Sequence, residues 1–249
     1  MKYEMRSMNY CKGAVVCCLL SALYCLTLTS CKDKLDNFTP NYLYDYAPIE
    51  SGHYVIYDVD SISYHYANPV YKRDTAHYQL KELIGDTTYD NLNDLTYHLD
   101  LYRRPDSNSS WTFDKRWLVK RTTTNFQKTE DDIKFVKLVF APRFGDTWNG
   151  NEYIPTTEPY KLFQNWDYKY DQVNSPYTLG NMTFDSTLTV NEVDNENLIE
   201  KTLRKEVYAN HIGMIYQEWE NMTKTKVVLN WDTAAETGFR IRMRMNSHN

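Results

Sequence analysis

Leu95-Thr96-Tyr97-His98-Leu99-Asp100-Leu101-Tyr102 is the stretch on which the fold turns. Leu95, Tyr97, Leu99 and Leu101 alternate with Thr96, His98, Asp100 and Tyr102. In an extended chain this period of two sends one set to an apolar face and the other to a wet face, the pattern of a half-buried strand. A helix would smear both sets around its axis.

Working outward, similar runs recur. Residues 54–59 (Tyr-Val-Ile-Tyr-Asp-Val), 111–119, 125–129, 133–140, 165–170, 182–190, 211–219 and 226–231 are rich in aromatic and β-branched residues and read as strands. Residues 77–84 read as a strand but contain Lys81-Glu82-Leu83, which a helix also tolerates. The chain closes with Phe239, Ile241, Met243 and Met245 alternating with Arg240, Arg242 and Arg244. Residues 197–208 fit both types: Leu198, Ile199, Thr202 and Leu203 have helical spacing, with Asp194 or Asn195 as a cap. The connections are short, so neighbours should pair antiparallel. The expectation is a mainly β fold, a single curved antiparallel sheet, half-barrel or sandwich-like, with at most one short helix.

Composition narrows the class. Gly and Pro occur only 8 times each, which excludes collagen-like and Gly/Pro-rich disordered chains. A net charge of −5 offers no domain-wide positive field to phosphates, so no nucleic-acid partner is expected.

The N-terminus carries Lys2, Arg6 and Lys12, then an apolar run over residues 14–28. That run is short for a membrane span of about 20 residues but has the order of a secretory signal peptide. It ends in Leu28-Thr29-Ser30-Cys31, which resembles a bacterial lipobox. The resemblance implies diacylglyceryl attachment to the Cys31 thiol and cleavage between Ser30 and Cys31. The other four cysteines, Cys11, Cys17, Cys18 and Cys25, lie in the leader, so the mature chain has no thiol for a disulfide, a zinc site or a nucleophile. Losing three basic residues and one acid with the leader takes the net charge from −5 to −7. An acyl anchor, not charge, must then hold the chain to a bilayer. Residues 1–30 are thus read as signal peptide, 31–45 as lipidated cysteine and tether, and 46–247 as one β domain.

Lys32-Asp33-Lys34-Leu35-Asp36 resembles the Lys-then-acidic tract of Bacteroidota-type lipoproteins sent to the cell surface, except that Lys34 replaces a second acid. A plain solvated tether reads equally well. Pro48-Ile49-x-x-Gly52-x-Tyr54, Gly145-x-x-Trp148-Asn149-Gly150 and Ala209-x-x-Ile212-Gly213 together resemble an uncharacterised family of Bacteroidota-type envelope lipoproteins. That resemblance implies an outer-membrane envelope location and carries no reaction or ligand. The last motif is also similar to lipoprotein-carrier half-barrels, an analogy of fold alone. Bacteroidota-type exported proteins are O-glycosylated at Asp-Ser/Thr triplets, which makes Ser61, Thr75, Thr87, Ser186 and Thr233 candidate sites. Such pairs are also ordinary turn residues.

Two corners echo one another. Tyr46-Ala47-Pro48 leads through Gly52 to Tyr54, and Phe140-Ala141-Pro142 through Gly145 to Trp148. They read as similar strand entries rather than a true repeat.

Catalytic signals are weak. The six histidines show no metal-ligand spacing, and no nucleophile elbow, P-loop or dinucleotide fingerprint occurs. No cofactor or metal is expected. Glu192, Asp194 and Glu196 lack an EF-hand pattern and read as a solvated turn. Asp100, Asp114, Glu206 and Glu218 lie on or beside expected strands, and an enzyme, a glycoside hydrolase for example, would need two acids facing each other in one cleft. The six tryptophans serve a β core first and sugar platforms second. Trp148, beside Asn149-Gly150, is the one expected exposed. Arg240, Arg242 and Arg244 either dock an anionic partner or pair with acids across strands, and as the last strand they stand at a sheet edge. The functional expectation is a non-catalytic envelope lipoprotein, its membrane contact made through Cys31, with a glycan, a lipid or an envelope protein as partner. An acyl-chain carrier and a glycan-binding or glycan-processing protein are the alternatives.

Overall fold

The computed structural model describes residues 41–67, 70–225, 227 and 230–249. The leader and Cys31 lie outside the described residues. Residues 41–249 form one compact unit. It is mainly β, a single curved and nearly closed antiparallel sheet of 12 strands. A second sheet is not present among the described residues, so the half-barrel reading holds over the sandwich.

The strands are β1 (Tyr54–Ala67), β2 (Val70–Tyr89), β3 (Leu95–Arg104), β4 (Thr112–Arg121), β5 (Asn125–Glu130), β6 (Ile133–Val139), β7 (Thr147–Trp148), β8 (Tyr168–Leu179), β9 (Met182–Glu196), β10 (Glu200–Ala209), β11 (Gly213–Thr223) and β12 (Thr237–His248). Their order across the sheet is β6-β5-β4-β3-β2-β1-β12-β11-β10-β9-β8-β7. Every neighbour is also a neighbour in sequence except β1 and β12. That long-range pair runs from Val55↔His248 to Tyr64↔Gly238.

In β3 the alternation places Leu99 and Leu101 inside, each at most 4% exposed. Leu95, at the strand's end, escapes burial. On the opposite face Asp100 is covered too, because Arg116 of β4 lies against it, Nε to Oδ1 at 2.5 Å.

Four sequence expectations change. Residues 200–209, ambiguous before, are strand β10, because β9 and β11 flank and hydrogen-bond the segment on both sides. The expected strand over 226–231 falls partly outside the described residues, and Trp231 opens the short helix α1 (Trp231–Ala234), capped by the Asn230 side chain on the Asp232 N–H. β12 is no edge: it sits between β1 and β11. The fold also takes up Tyr44 and Asp45, assigned above to the tether. Residues Tyr44–Tyr46 form a 3-10 turn, and the Asp45 carbonyl accepts the His211 N–H at 2.8 Å.

Tyr46 is fully buried, and its hydroxyl meets Asn174 Oδ1 and Ser186 Oγ at 2.7 Å each. Arg121 Nη1 donates to the Ala47 carbonyl at 2.8 Å. The entry segment therefore ties β4, β8 and β9 together at one end of the interior.

The sheet's edges, β6 and β7, are consecutive in sequence, yet no ladder joins them. Single contacts bridge this seam. The Val136 N–H donates to the Gly150 carbonyl, and Trp148 Nε1 to the Val136 carbonyl, both at 2.8 Å. The Tyr170 hydroxyl donates to the Val139 carbonyl and receives the Val139 N–H. Trp148, expected exposed, is half-buried here, with its ring 4.6 Å from Tyr170.

The echoed corners now have a place. One precedes β1 and the other precedes β7, the first strands of two six-stranded meanders. Their glycines share a left-handed backbone, φ +90° at Gly52 and +85° at Gly145, with open space where a Cβ would stand. Only the backbone conformation resists a side chain there. Gly52→Ala and Gly145→Ala should each cost about 1–3 kcal/mol without altering the fold, read from urea unfolding midpoints with an unchanged circular dichroism spectrum.

Candidate functional site

Seven charged side chains meet inside the sheet. They are Glu82 of β2, Lys128 and Glu130 of β5, Lys137 of β6, Glu192 of β9, and Arg204 and Glu206 of β10. None is more than 9% exposed. Strand pleat explains most of the set: Lys128 and Glu130, and Arg204 and Glu206, are two apart and share a face. Glu192 follows the same rule, on the inward face with Leu188 and Val190, and sits where the ladder is interrupted. The β9–β10 register passes from Asn191↔Lys205 to Val193↔Arg204, leaving Glu192 as the extra residue of a bulge.

Lys137 Nζ lies 2.8 Å from Glu192 Oε1, 2.8 Å from Glu206 Oε1 and 3.6 Å from Glu130 Oε1. Arg204 Nη2 meets Glu130 Oε2 at 2.9 Å, and Arg204 Nε meets Glu192 Oε2 at 3.2 Å. Lys128 Nζ bonds Glu82 Oε1 at 2.8 Å. The Tyr208 hydroxyl donates to Glu206 Oε2. Arg204 also stacks on Trp219, 4.5 Å from its ring centre. Lys137 and Arg204 thus link β5 and β6 to β9 and β10 through the interior, across the seam.

Burial disfavours the charge on every member, and the partners decide the outcome. Glu130 is desolvated, yet Lys137, Arg204 and Lys128 hold its carboxyl far below the usual range. Glu206 is likewise buried, and Lys137 and Arg204 hold it low. For Glu192 burial dominates: Arg204 and Lys137 oppose it, Glu206 adds to it, and the carboxyl is pushed up to about 7. Four acids therefore face three cations, and the protonation of one acid balances the set.

The network forms part of the wall of a cleft of ≈ 270 Å³. Tyr78, Leu101, Trp117, Phe135 and Met243 give the cleft apolar sides, while Glu82, Lys128, Glu130 and Arg204 supply its charge. A smaller cavity of ≈ 60 Å³, bounded by Tyr46, Val55, Phe126 and Met214, lies toward the entry segment. Glu82 and Lys128 line both spaces, so this ion pair stands between them.

Of the residues singled out in sequence, Glu192 and Glu206 join this network and Asp114 lines the cleft, while the others are dispersed elsewhere. Arg240, Arg242 and Arg244 lie on the outer face, beside a groove of ≈ 380 Å³ that Thr75 and His77 also line. Each arginine already has an acid. Arg242 Nε meets Glu218 Oε1 at 2.6 Å, Arg240 is paired with Glu220 and Asp232, and Arg244 with Asp60. Of the glycosylation candidates, Thr75, Thr87 and Thr233 are exposed, and Ser61 is half-buried within β1. Ser186 is half-buried, with its hydroxyl engaged by Tyr46. Glu192, read above as part of a solvated turn, is fully buried because β9 runs through it and places it on the inward face with Leu188 and Val190; Asp194 and Glu196 stay exposed. Sequence reasoning missed Lys137 and Arg204. The available signal for Lys137 was a lone cation inside Phe135-Val136-Lys137-Leu138-Val139, on the same parity as Phe135.

No protein-family model matches the chain. No curated protein matches it either. Among solved structures it is similar, at a TM-score of 0.39 and 10% identity, to a Bacteroides fragilis NCTC 9343 protein described as exported and YmcC-like in fold. The alignment covers 81% of this chain and 97% of that one. A likeness of this depth carries no inference for this chain.

Removing one partner from such a network strands the others in a low dielectric. Lys137→Met should destabilise the fold by about 3–5 kcal/mol, and adding Glu206→Gln should recover part of the loss, both read by urea denaturation. Glu192 gives a pH signature. Its folded pKa of about 7 stands above the ordinary 4.5, so unfolding releases its proton between these values. Its penalty is absent below about pH 4.5 and complete above about pH 7, and stability falls as pH rises through that window. Glu130 and Glu206 shift the other way, and their contribution is already complete above the ordinary value. Between pH 5 and 8 the wild type should therefore lose stability relative to Glu192→Gln, by up to about 3 kcal/mol in paired unfolding curves.

Proposed function

We propose that this chain is a non-catalytic lipoprotein of the cell envelope, anchored at the outer membrane through acylated Cys31, and that it binds a small ligand in the interior cleft. The cleft carries the reading: ≈ 270 Å³ of space, just under the usual size, is lined by apolar side chains and a few convergent polar groups, as a small-molecule site is. The leader and the Leu28-Thr29-Ser30-Cys31 sequence support the anchor. The tract after Cys31 is compatible with export to the cell surface as well as with a tether.

A binding role fits the electrostatics better than catalysis. Glu82, Asp114, Glu130 and Asp131 share the cleft, but Lys128 stands by Glu82 and Glu130 at 2.8 and 3.8 Å, and Lys115 stands by Asp131 at 2.9 Å. Glu130, held deprotonated by three cations, is a poor general acid. The carrier alternative fares worse. The cavity with mostly apolar walls measures only ≈ 60 Å³, and the larger space would set an acyl chain against buried charges.

Mass spectrometry of the protein taken from its own membranes should find the mature N-terminus at Cys31 carrying diacylglycerol. Cys31→Ala should move the chain from the detergent phase to the aqueous phase on Triton X-114 partitioning. A detergent-phase Cys31→Ala chain would defeat the anchor.

A further inference from the structure

We infer that the interior cleft accepts a single neutral, hydroxyl-bearing ring, a saccharide unit, through donors on Arg204 and Trp219. This rests on the cleft being the binding site.

Two observations independent of the cleft's size point to a ligand oxygen. Arg204 is 1% exposed, and its Nη1 has no hydrogen-bond partner among the described residues. Trp219 Nε1 is buried and equally unpartnered. Both residues line the cleft. A buried donor without an acceptor is costly and uncommon, and two around one cavity mark the place where an acceptor is missing. The other Arg204 nitrogens are engaged by Glu130 and Glu192.

Charge selects the kind of acceptor. Glu82, Asp114, Glu130 and Asp131 on the cleft wall outnumber Lys115, Lys128 and Arg204. An added anion would enter a negative surrounding and compete with carboxylates for an arginine already paired. A hydroxyl or ring oxygen accepts from the same two donors with no charge to desolvate. The apolar lining residues Leu101, Trp117 and Met243 suit the less polar face of a ring. At ≈ 270 Å³ the cleft lies below the usual range of about 300–1,000 Å³, which admits one ring rather than a chain of them.

The test uses the lipidated protein in nanodiscs, with intrinsic tryptophan fluorescence as the readout. The neutral probes are glucose, galactose and N-acetylglucosamine; glucuronate and laurate are the anionic and apolar counterparts. At least one neutral sugar should bind, with glucuronate at least tenfold weaker and laurate not displacing it. Trp219→Phe keeps a ring over Arg204 but removes the Nε1 donor. It should weaken sugar binding about five- to tenfold, while Trp111→Phe, outside the cleft, leaves it unchanged. Glucuronate or laurate binding in preference to every neutral sugar would overturn the saccharide assignment while keeping the cleft as a site. No response to any of the five probes would overturn the assignment and the cleft-binding reading together, leaving the Cys31 anchor to its own test.

Discussion

Lys137, 0% exposed, stands between Glu192 and Glu206, with Arg204 alongside and Glu130 beyond. Everything else in the interior is arranged around that charge layer. Its members come from β2, β5 and β6 on one side of the seam and from β9 and β10 on the other. The edges of the sheet lack a ladder between them, so the usual inter-strand bonding cannot hold the barrel shut there. Ion pairs across the interior, with the Trp148 and Tyr170 contacts at the seam itself, take its place.

Such a layer is a weak source of net stability, because desolvating seven charges offsets most of their mutual attraction. Its value lies in specification. A barrel closed only by apolar packing tolerates slippage, whereas these distances are satisfied in one register. The bulge at Glu192 interrupts the β9–β10 ladder beside the layer, while Glu192 itself keeps the inward parity of Leu188 and Val190. The Glu82–Lys128 pair lines both the small cavity near the entry segment and the larger cleft, where charged and aromatic side chains stand together.

The outer face follows a different rule. Arg240, Arg242 and Arg244 are matched with Glu220, Glu218 and Asp60 on the flanking strands. The partly exposed pairs of Arg242 and Arg244 contribute little apiece and mainly keep the face wet, whereas Arg240 and Glu220 are buried together. An unpaired row at an edge would have been a docking surface. A paired row in the middle of a sheet is a solvated wall, with Trp231, Met222 and Tyr64 forming a small apolar patch under α1 beside it.

Local pattern by itself determined the strand content of this protein. The period of two in residues 95–102 and 239–245 declares an inside and an outside wherever a strand lies, because pleat geometry is a property of the chain alone. The expectations for residues 1–30 and Cys31 are equally local, since they rest on sequence and not on shape. What only the tertiary structure decided was partnership. Residues 200–209 became strand because β9 and β11 offered ladders, overriding a helical spacing. The last strand became central because it met the first, a pairing about 180 residues long in sequence that no window could contain. The cleft and its ion network are of this second kind. Lys137, Glu192 and Arg204 are unremarkable in their own segments, and they become a site only when sheet closure brings the buried charge of five strands within bonding distance.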